Sequence, residues 1–163
     1  MRQTSIFDSV SCSSSWELYV DGAARNNPGP AGAGIYLLKD GVPIVEKGIF
    51  LGTKTNNQAE YLALLLGLLL LKSLICPGDM LTIKSDSQLL VRQLIGMYSV
   101  KNKDLVRLYV HVEELLMGLT YTICHIPRAE NKIADRLANK GIDQKIPIPQ
   151  ELLTVWHTYE QTL

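Results

Sequence analysis

The 163-residue sequence has only three cysteines, Cys12, Cys76 and Cys124, widely spaced and without a Cys-x-x-Cys pair. That excludes a disulfide framework and a thiolate zinc site, and it points to a reducing cytoplasm. Net charge is lacking too: sixteen basic residues balance sixteen acidic ones, so nothing announces a globally basic surface and any phosphate contact must be local. The longest apolar run, Leu62 to Leu71, covers ten residues and stops at Lys72, well short of the roughly 20 that a membrane span needs, so it reads as a buried helix. The opening MRQTSIFDSVSCSSS has no apolar core of the signal-peptide kind, and residues 1–14 read as a serine-rich, disordered lead-in. With no internal repeat or linker, 47% hydrophobic and 20% charged residues describe one globular domain able to bury a core.

Trp16, Leu18 and Val20 alternate with Glu17, Tyr19 and Asp21 before the turn-rich Arg25-Asn26-Asn27-Pro28-Gly29-Pro30, which predicts a strand ending near Asp21. Gly32 to Leu38 and Val42 to Leu51 flank Lys39-Asp40-Gly41, the pattern of a hairpin. Thr55-Asn56 suits a helix N-cap, and the leucine-rich stretch behind it runs to Ile75 before Cys76-Pro77-Gly78. Short strands are expected at Met80–Lys84 and Leu119–Ile126, and helices at Ser87–Ile95, Asp104–Met117 and Ala129–Lys140. Three strands in a meander, then helix, strand, two helices, strand and helix make an α/β mixed sheet with helices on its faces. The tail, residues 143–163, has room for one helix between Gln150 and Gln161.

Four acids stand out. Asp21 and Asp86 close strands, Glu60 sits in the first turns of the leucine-rich helix, and Asp135 lies in the helix after the fifth strand. Asp21 and Asp86 would meet beyond the carboxyl ends of their strands if those strands are parallel neighbours. Ala63, Leu64, Gly67, Leu68 and Leu71 follow on the face of Glu60, so its carboxylate points toward the core, where it needs a cation or hydrogen-bond donors. Hard carboxylate oxygens with no histidine pair or thiolate suit magnesium or manganese. Two such ions about 4 Å apart activate a water and stabilise a leaving oxygen in phosphodiester hydrolysis. Taken singly, the acids also have plain readings: Asp21 as a turn residue, Asp86 as a helix N-cap, Asp135 as a solvated helix residue.

Four segments in order, LYVDGAARNNPGPAGAG, TKTNNQAEY, IKSDSQLLV and HIPRAENKIADRLANKG, resemble the type 1 ribonuclease H family from about Trp16 to Ile142. The resemblance implies a catalytic domain over residues 15–142 and a five-stranded mixed sheet of order 3-2-1-4-5, its first three strands antiparallel. It implies an endonuclease that cuts the RNA strand of an RNA/DNA hybrid, with Asp21, Glu60, Asp86 and Asp135 as ligands of two Mg2+ or Mn2+ ions when substrate is bound. Asn27, Asn57 and Gln88 match positions that read the minor groove and 2′-hydroxyls, a task amides suit because they donate and accept. Thr55 and Asn102 match a phosphate pocket for the DNA strand, and such contacts position a substrate without reading its sequence. A monomer without an obligate protein partner is expected.

This sequence departs from the family pattern twice. Some members carry a basic, tryptophan-bearing protrusion where this chain has only Gly96 to Lys103, with Lys101 and Lys103 as its charges, so hybrid binding should be weak and salt-sensitive. His125 aligns with a histidine that many members place in a mobile Gly-His-Ala-Gly-like loop, yet it stands here in Ile123-Cys124-His125-Ile126-Pro127-Arg128, the context of a strand end. Arg128 is the rival for its auxiliary role, since a guanidinium stabilises charge developing on a phosphate. His111 and His157 read as ordinary helix residues and Cys124 as a buried thiol. Two other readings stay open: a ribonuclease-H-like DNA nuclease or recombinase, and a non-catalytic hybrid-binding module.

Overall fold

In the computed structural model, residues 13–163 are described. Most of the expected lead-in, residues 1–12, lies outside them. Ser14 is already tied down, its N–H donating to Asp79 at 2.8 Å and its carbonyl accepting from Met80 at 3.0 Å.

β1 (Ser15–Ala24), β2 (Gly29–Lys39) and β3 (Val42–Lys54) form the antiparallel meander, and β4 (Met80–Ser85) and β5 (Thr120–His125) complete a sheet of order β3-β2-β1-β4-β5. β1 runs parallel to β4, and β4 parallel to β5. The first three strands are longer than the alternation alone suggested, because pairing continues through Gly29 and Lys54. At the β2–β3 hairpin, Asp40 and Gly41 take positive φ values of 51° and 78°, the left-handed geometry of a tight turn.

Trp16, Leu18 and Val20 are buried on one sheet face, under α1 (Asn56–Lys72). Thr55 and Gln58 start α1 with a reciprocal capping box, and Ser73 ends it three residues before the expected stop because the Leu74 and Ile75 N–H groups both turn back to the Leu71 carbonyl. Every residue from Tyr61 to Leu71 is buried. α2 (Gln88–Leu94) and α3 (Lys103–Leu116) flank α1, while Leu152 and Trp156 of the C-terminal segment join the same core. That segment holds α5 (Leu153–Glu160), and the residues just after it are fastened to α3, His111 Nε2 lying 2.9 Å from Thr162 Oγ1 and Arg107 donating to the Leu163 carbonyl at 3.0 Å.

α4 (Lys132–Gln144) covers the opposite face over β1, β2 and β3. A Cβ at Gly34 would lie 1.8 Å from the Ala134 carbonyl oxygen, so only glycine admits the helix that close. The helix expected from Ala129 begins later, because Arg128–Glu130 forms a 3-10 turn that Asn131 closes with its N–H on the Arg128 carbonyl. Cys124 is exposed rather than buried: α4 lies over the other half of the sheet and leaves the outward side of β5, with Thr120 and Thr122, to solvent. No helix among the described residues is long and apolar enough to cross a membrane.

Candidate active site

Parallel pairing sets Val20 of β1 beside Ser85 of β4 and ends there, so the next residues, Asp21 and Asp86, emerge side by side where β4 stops. β1 itself runs on past its expected end near Asp21 to Ala24, because it stays paired with β2. Glu60 is brought to them by α1. A Cβ on Gly22 would stand 2.1 Å from the Ala59 carbonyl carbon and 2.2 Å from the Glu60 nitrogen; with glycine there, α1 closes on β1 and the Gly22 N–H donates to Glu60 Oε2 at 3.1 Å. Asp21, Glu60 and Asp86 each present a carboxylate oxygen within 4.8 Å of the others. Asp135, one turn into α4, lines the same cleft but is ion-paired, its Oδ1 3.0 Å from Arg128 Nη2.

Burial and mutual repulsion dominate the electrostatics. Burial, then the charges of Asp86 and Asp135, push the Asp21 carboxyl up to about 7 from 3.8, against the pull of Arg128. Glu60 is raised well above the usual carboxylate range, by burial first and then by Asp21 and Asp86, with the Gly22 N–H and Arg128 opposing. Three acids thus hold more negative charge than their surroundings neutralise, and they offer only hard oxygen donors. That donor set fits a divalent cation such as Mg2+ or Mn2+. Arg128, whose side chain is 79% exposed, is already engaged with Asp135.

The other candidates are dispersed around this centre. Arg128 lines the cleft and His125 does not; His125 is exposed at the end of β5, its Nε2 3.2 Å from the Asp86 backbone carbonyl. The N-cap of α2 is Ser87, whose Oγ accepts from Leu90, which leaves the Asp86 carboxylate free of that duty. Asn27 is exposed and braces the start of α1, its Oδ1 accepting from the Asn56 N–H at 3.0 Å. Asn57 and Gln88 are exposed at the first turns of α1 and α2. Thr55 and Asn102 act as N-caps of α1 and α3, accepting from Gln58 and from Asp104 and Leu105.

Three asparagines were missed by sequence reasoning. Asn56 and Asn139 line the cleft, the first with its Oδ1 on the Ala24 N–H at 3.0 Å, the second donating to the Asp135 carbonyl at 2.9 Å. Asn131 is buried and donates to both the Val20 carbonyl and Asp86 Oδ1. Its place in Asn131-Lys132-Ile133-Ala134-Asp135, part of a segment that carries the family resemblance, was the available signal.

Comparison with known proteins supplies the kinship. The family profile described as reverse transcriptase-like matches residues 19–141. A ribonuclease HI of Halobacterium salinarum is 43% identical over 127 residues, which are 77% of this chain and 63% of that protein. A ribonuclease H of Pseudomonas putida is 33% identical over 145 residues, 81% of this chain and 96% of that one. The chain spans a smaller share, 34%, of a bifunctional protein of Mycobacterium tuberculosis that it matches at 38% identity. Among solved structures, LC11-RNase H1 in complex with an RNA/DNA hybrid superposes with a TM-score of 0.75 at 35% identity, over 80% of this chain and 98% of that one.

Proposed function

The chain belongs to the ribonuclease H family, and from that premise we propose that it is an endonuclease hydrolysing the RNA strand of RNA/DNA hybrids, largely without regard to sequence. The observation that carries this reading is the meeting of Asp21, Glu60 and Asp86, from β1, α1 and the end of β4, within 4.8 Å. Asp21, Glu60, Asp86 and Asp135 would hold Mg2+ or Mn2+, two ions when substrate is bound. When bound, such ions supply Lewis-acid charge and lower the pKa of a coordinated water.

What the side chains contribute follows from their chemistry. Asp21 and Glu60, buried among like charges, stay ionised only with compensation, so the site selects for a cationic, phosphate-bearing complex and excludes a bare phosphodiester. Arg128 lies at the cleft with donors to spare beyond its bond to Asp135; it is the group suited to a non-bridging phosphate oxygen or to the departing product. His125 is in our reading a support for the Asp86 backbone, not a proton carrier.

Asn57 and Gln88, exposed at the starts of α1 and α2, suit the 2′-hydroxyls of the RNA strand, while Asn27 braces Asn56. Thr55 spends an acceptor lone pair on its cap and keeps its hydroxyl hydrogen, and Asn102 keeps its amide group; both are suited to a phosphate of the DNA strand. We read the protein as a monomer in a reducing cytoplasm, the latter in keeping with three widely spaced cysteines and no Cys-x-x-Cys pair.

A substrate panel tests this function. End-labelled RNA/DNA hybrid, duplex DNA, duplex RNA and single strands are each incubated with protein and Mg2+ or Mn2+. Cutting confined to the RNA strand of the hybrid is expected. Equal cutting of duplex DNA would move the chain to the DNA nucleases, and binding without cleavage in either metal would make it a non-catalytic module.

A further inference from the structure

Asn131 occupies the N-cap position of α4 and makes no cap: its side chain forms no hydrogen bond to its own helix. Asparagine is among the best residues for that duty, and forgoing it leaves the first N–H groups of α4 without their usual side-chain acceptor. The amide instead turns to the sheet, its Nδ2 donating to the Val20 carbonyl at 2.9 Å and to Asp86 Oδ1 at 2.7 Å. Both hydrogens of one NH2 group are used. The Oδ1 of the same amide is buried and has no partner among the described residues, and an orphaned acceptor at a site only 1% exposed is a standing cost. Flipping the amide would relieve nothing, since it would set that oxygen against a carbonyl and a carboxylate.

A residue that gives up a cap and tolerates an orphaned oxygen is kept for its two donors. What they join is specific. Val20 immediately precedes Asp21, Asp86 receives the shorter bond, and Asn131 stands one helical turn before Asp135. One amide therefore ties the end of β1, the carboxylate after β4 and the start of α4, the elements carrying three of the four acids. A hydrogen bond to one oxygen of Asp86 also fixes which oxygen is left to face Asp21 and Glu60.

We propose that Asn131 is a positioning residue of the metal centre: it holds the Asp86 carboxylate in its ligating orientation and locks β1 to α4 so that the acids keep their spacing. This rests on the reading of Asp86 as a metal ligand. Outer-shell partners of ligands are typically worth ten- to hundredfold, roughly, in metal affinity or activity, and that is the size of effect expected.

The test uses Asn131→Ser and Asn131→Thr, because serine and threonine are both good N-caps that lose the bridging amide without adding a charge. Mg2+ binding to the substrate-free protein is measured by titration calorimetry, alongside kcat and KM for hybrid and the melting temperature. The positioning role predicts Mg2+ affinity and kcat each down about tenfold or more, with KM for hybrid and the melting temperature little changed. Wild-type Mg2+ affinity in a folded variant would overturn it.

Should both variants unfold, the wild-type protein still decides: the Asn131 side-chain amide resonances must shift on Mg2+ titration, and unmoved resonances overturn the proposal. Absence of Mg2+ binding by the wild type would sink the metal-site reading as a whole. Wild-type binding that the variants preserve sinks only the role of Asn131.

Discussion

Arg128 and Asp135 form an ion pair at 3.0 Å, so the fourth acid of the cleft is held by an arginine while the other three face one another without a cationic partner among the described residues. A guanidinium placed there serves two purposes: it neutralises Asp135 before substrate arrives, and it lies within the cleft that a phosphate would enter.

Arg128→Ala should therefore lower the single-turnover rate on saturating hybrid by about tenfold or more, with Arg128→Lys recovering part of the loss. His125→Ala should stay close to the wild-type rate, because His125 meets only the backbone of Asp86. The opposite ranking would return the auxiliary role to the histidine.

Asp21 gives the metal-free protein a pH-dependent stability. Its folded-state pKa, about 7, lies above the ordinary 3.8, so the folded chain binds the extra proton between those values. Stability from this group is fully present below about pH 4 and is lost as the pH rises through about 7. Asp21→Asn removes the buried charge and should raise the metal-free melting temperature by about 2 to 8 °C at pH 8, with the advantage shrinking toward pH 4. A variant no more stable than wild type at pH 8 in chelator would contradict this.

Gly22→Ala should destabilise the fold and the site together, because the new methyl would meet the backbone of Ala59 and Glu60 at 2.1 to 2.2 Å, where no rotamer can yield. A loss of about 3 kcal/mol is expected, a drop of roughly 6 to 12 °C in melting temperature for a chain of this size. Thermal denaturation followed by circular dichroism measures it, and an unchanged midpoint would mean that α1 does not need this approach.

Thr55 has two assigned duties that one substitution separates. Thr55→Ala loses the capping box of α1 and should cost about 1 kcal/mol of stability. If its hydroxyl also holds a phosphate of the DNA strand, KM for hybrid should rise severalfold with kcat unchanged. A destabilised variant with wild-type KM would leave Thr55 as a cap alone.

Several of these features were legible in the sequence. The alternation of Trp16, Leu18 and Val20 fixes which side of β1 is buried, and the apolar face following Glu60 turns its carboxylate inward. The adjacency of Asp21 and Asp86 was not readable locally, because parallel pairing of β1 and β4 joins segments that more than 50 residues separate and depends on the whole sheet closing. The exposure of Cys124 was hidden for a related reason: which strands α4 covers is set by glycines at 32, 34 and 48, far from β5 in sequence. Asn131 was concealed by the helix expected from Ala129, which made it an ordinary first-turn residue; the structure starts the helix at Lys132 and bonds the Asn131 amide to the sheet instead.

The most direct test is the single-turnover cleavage of an end-labelled RNA/DNA hybrid by wild type and Asp21→Asn across a Mg2+ titration that starts in chelator. If the clustered acids carry the chemistry, the wild type cuts the RNA strand only as Mg2+ is added, and Asp21→Asn, though folded, stays inactive throughout. Cleavage that persists in chelator, or an Asp21→Asn variant that cuts at the wild-type rate, would contradict it.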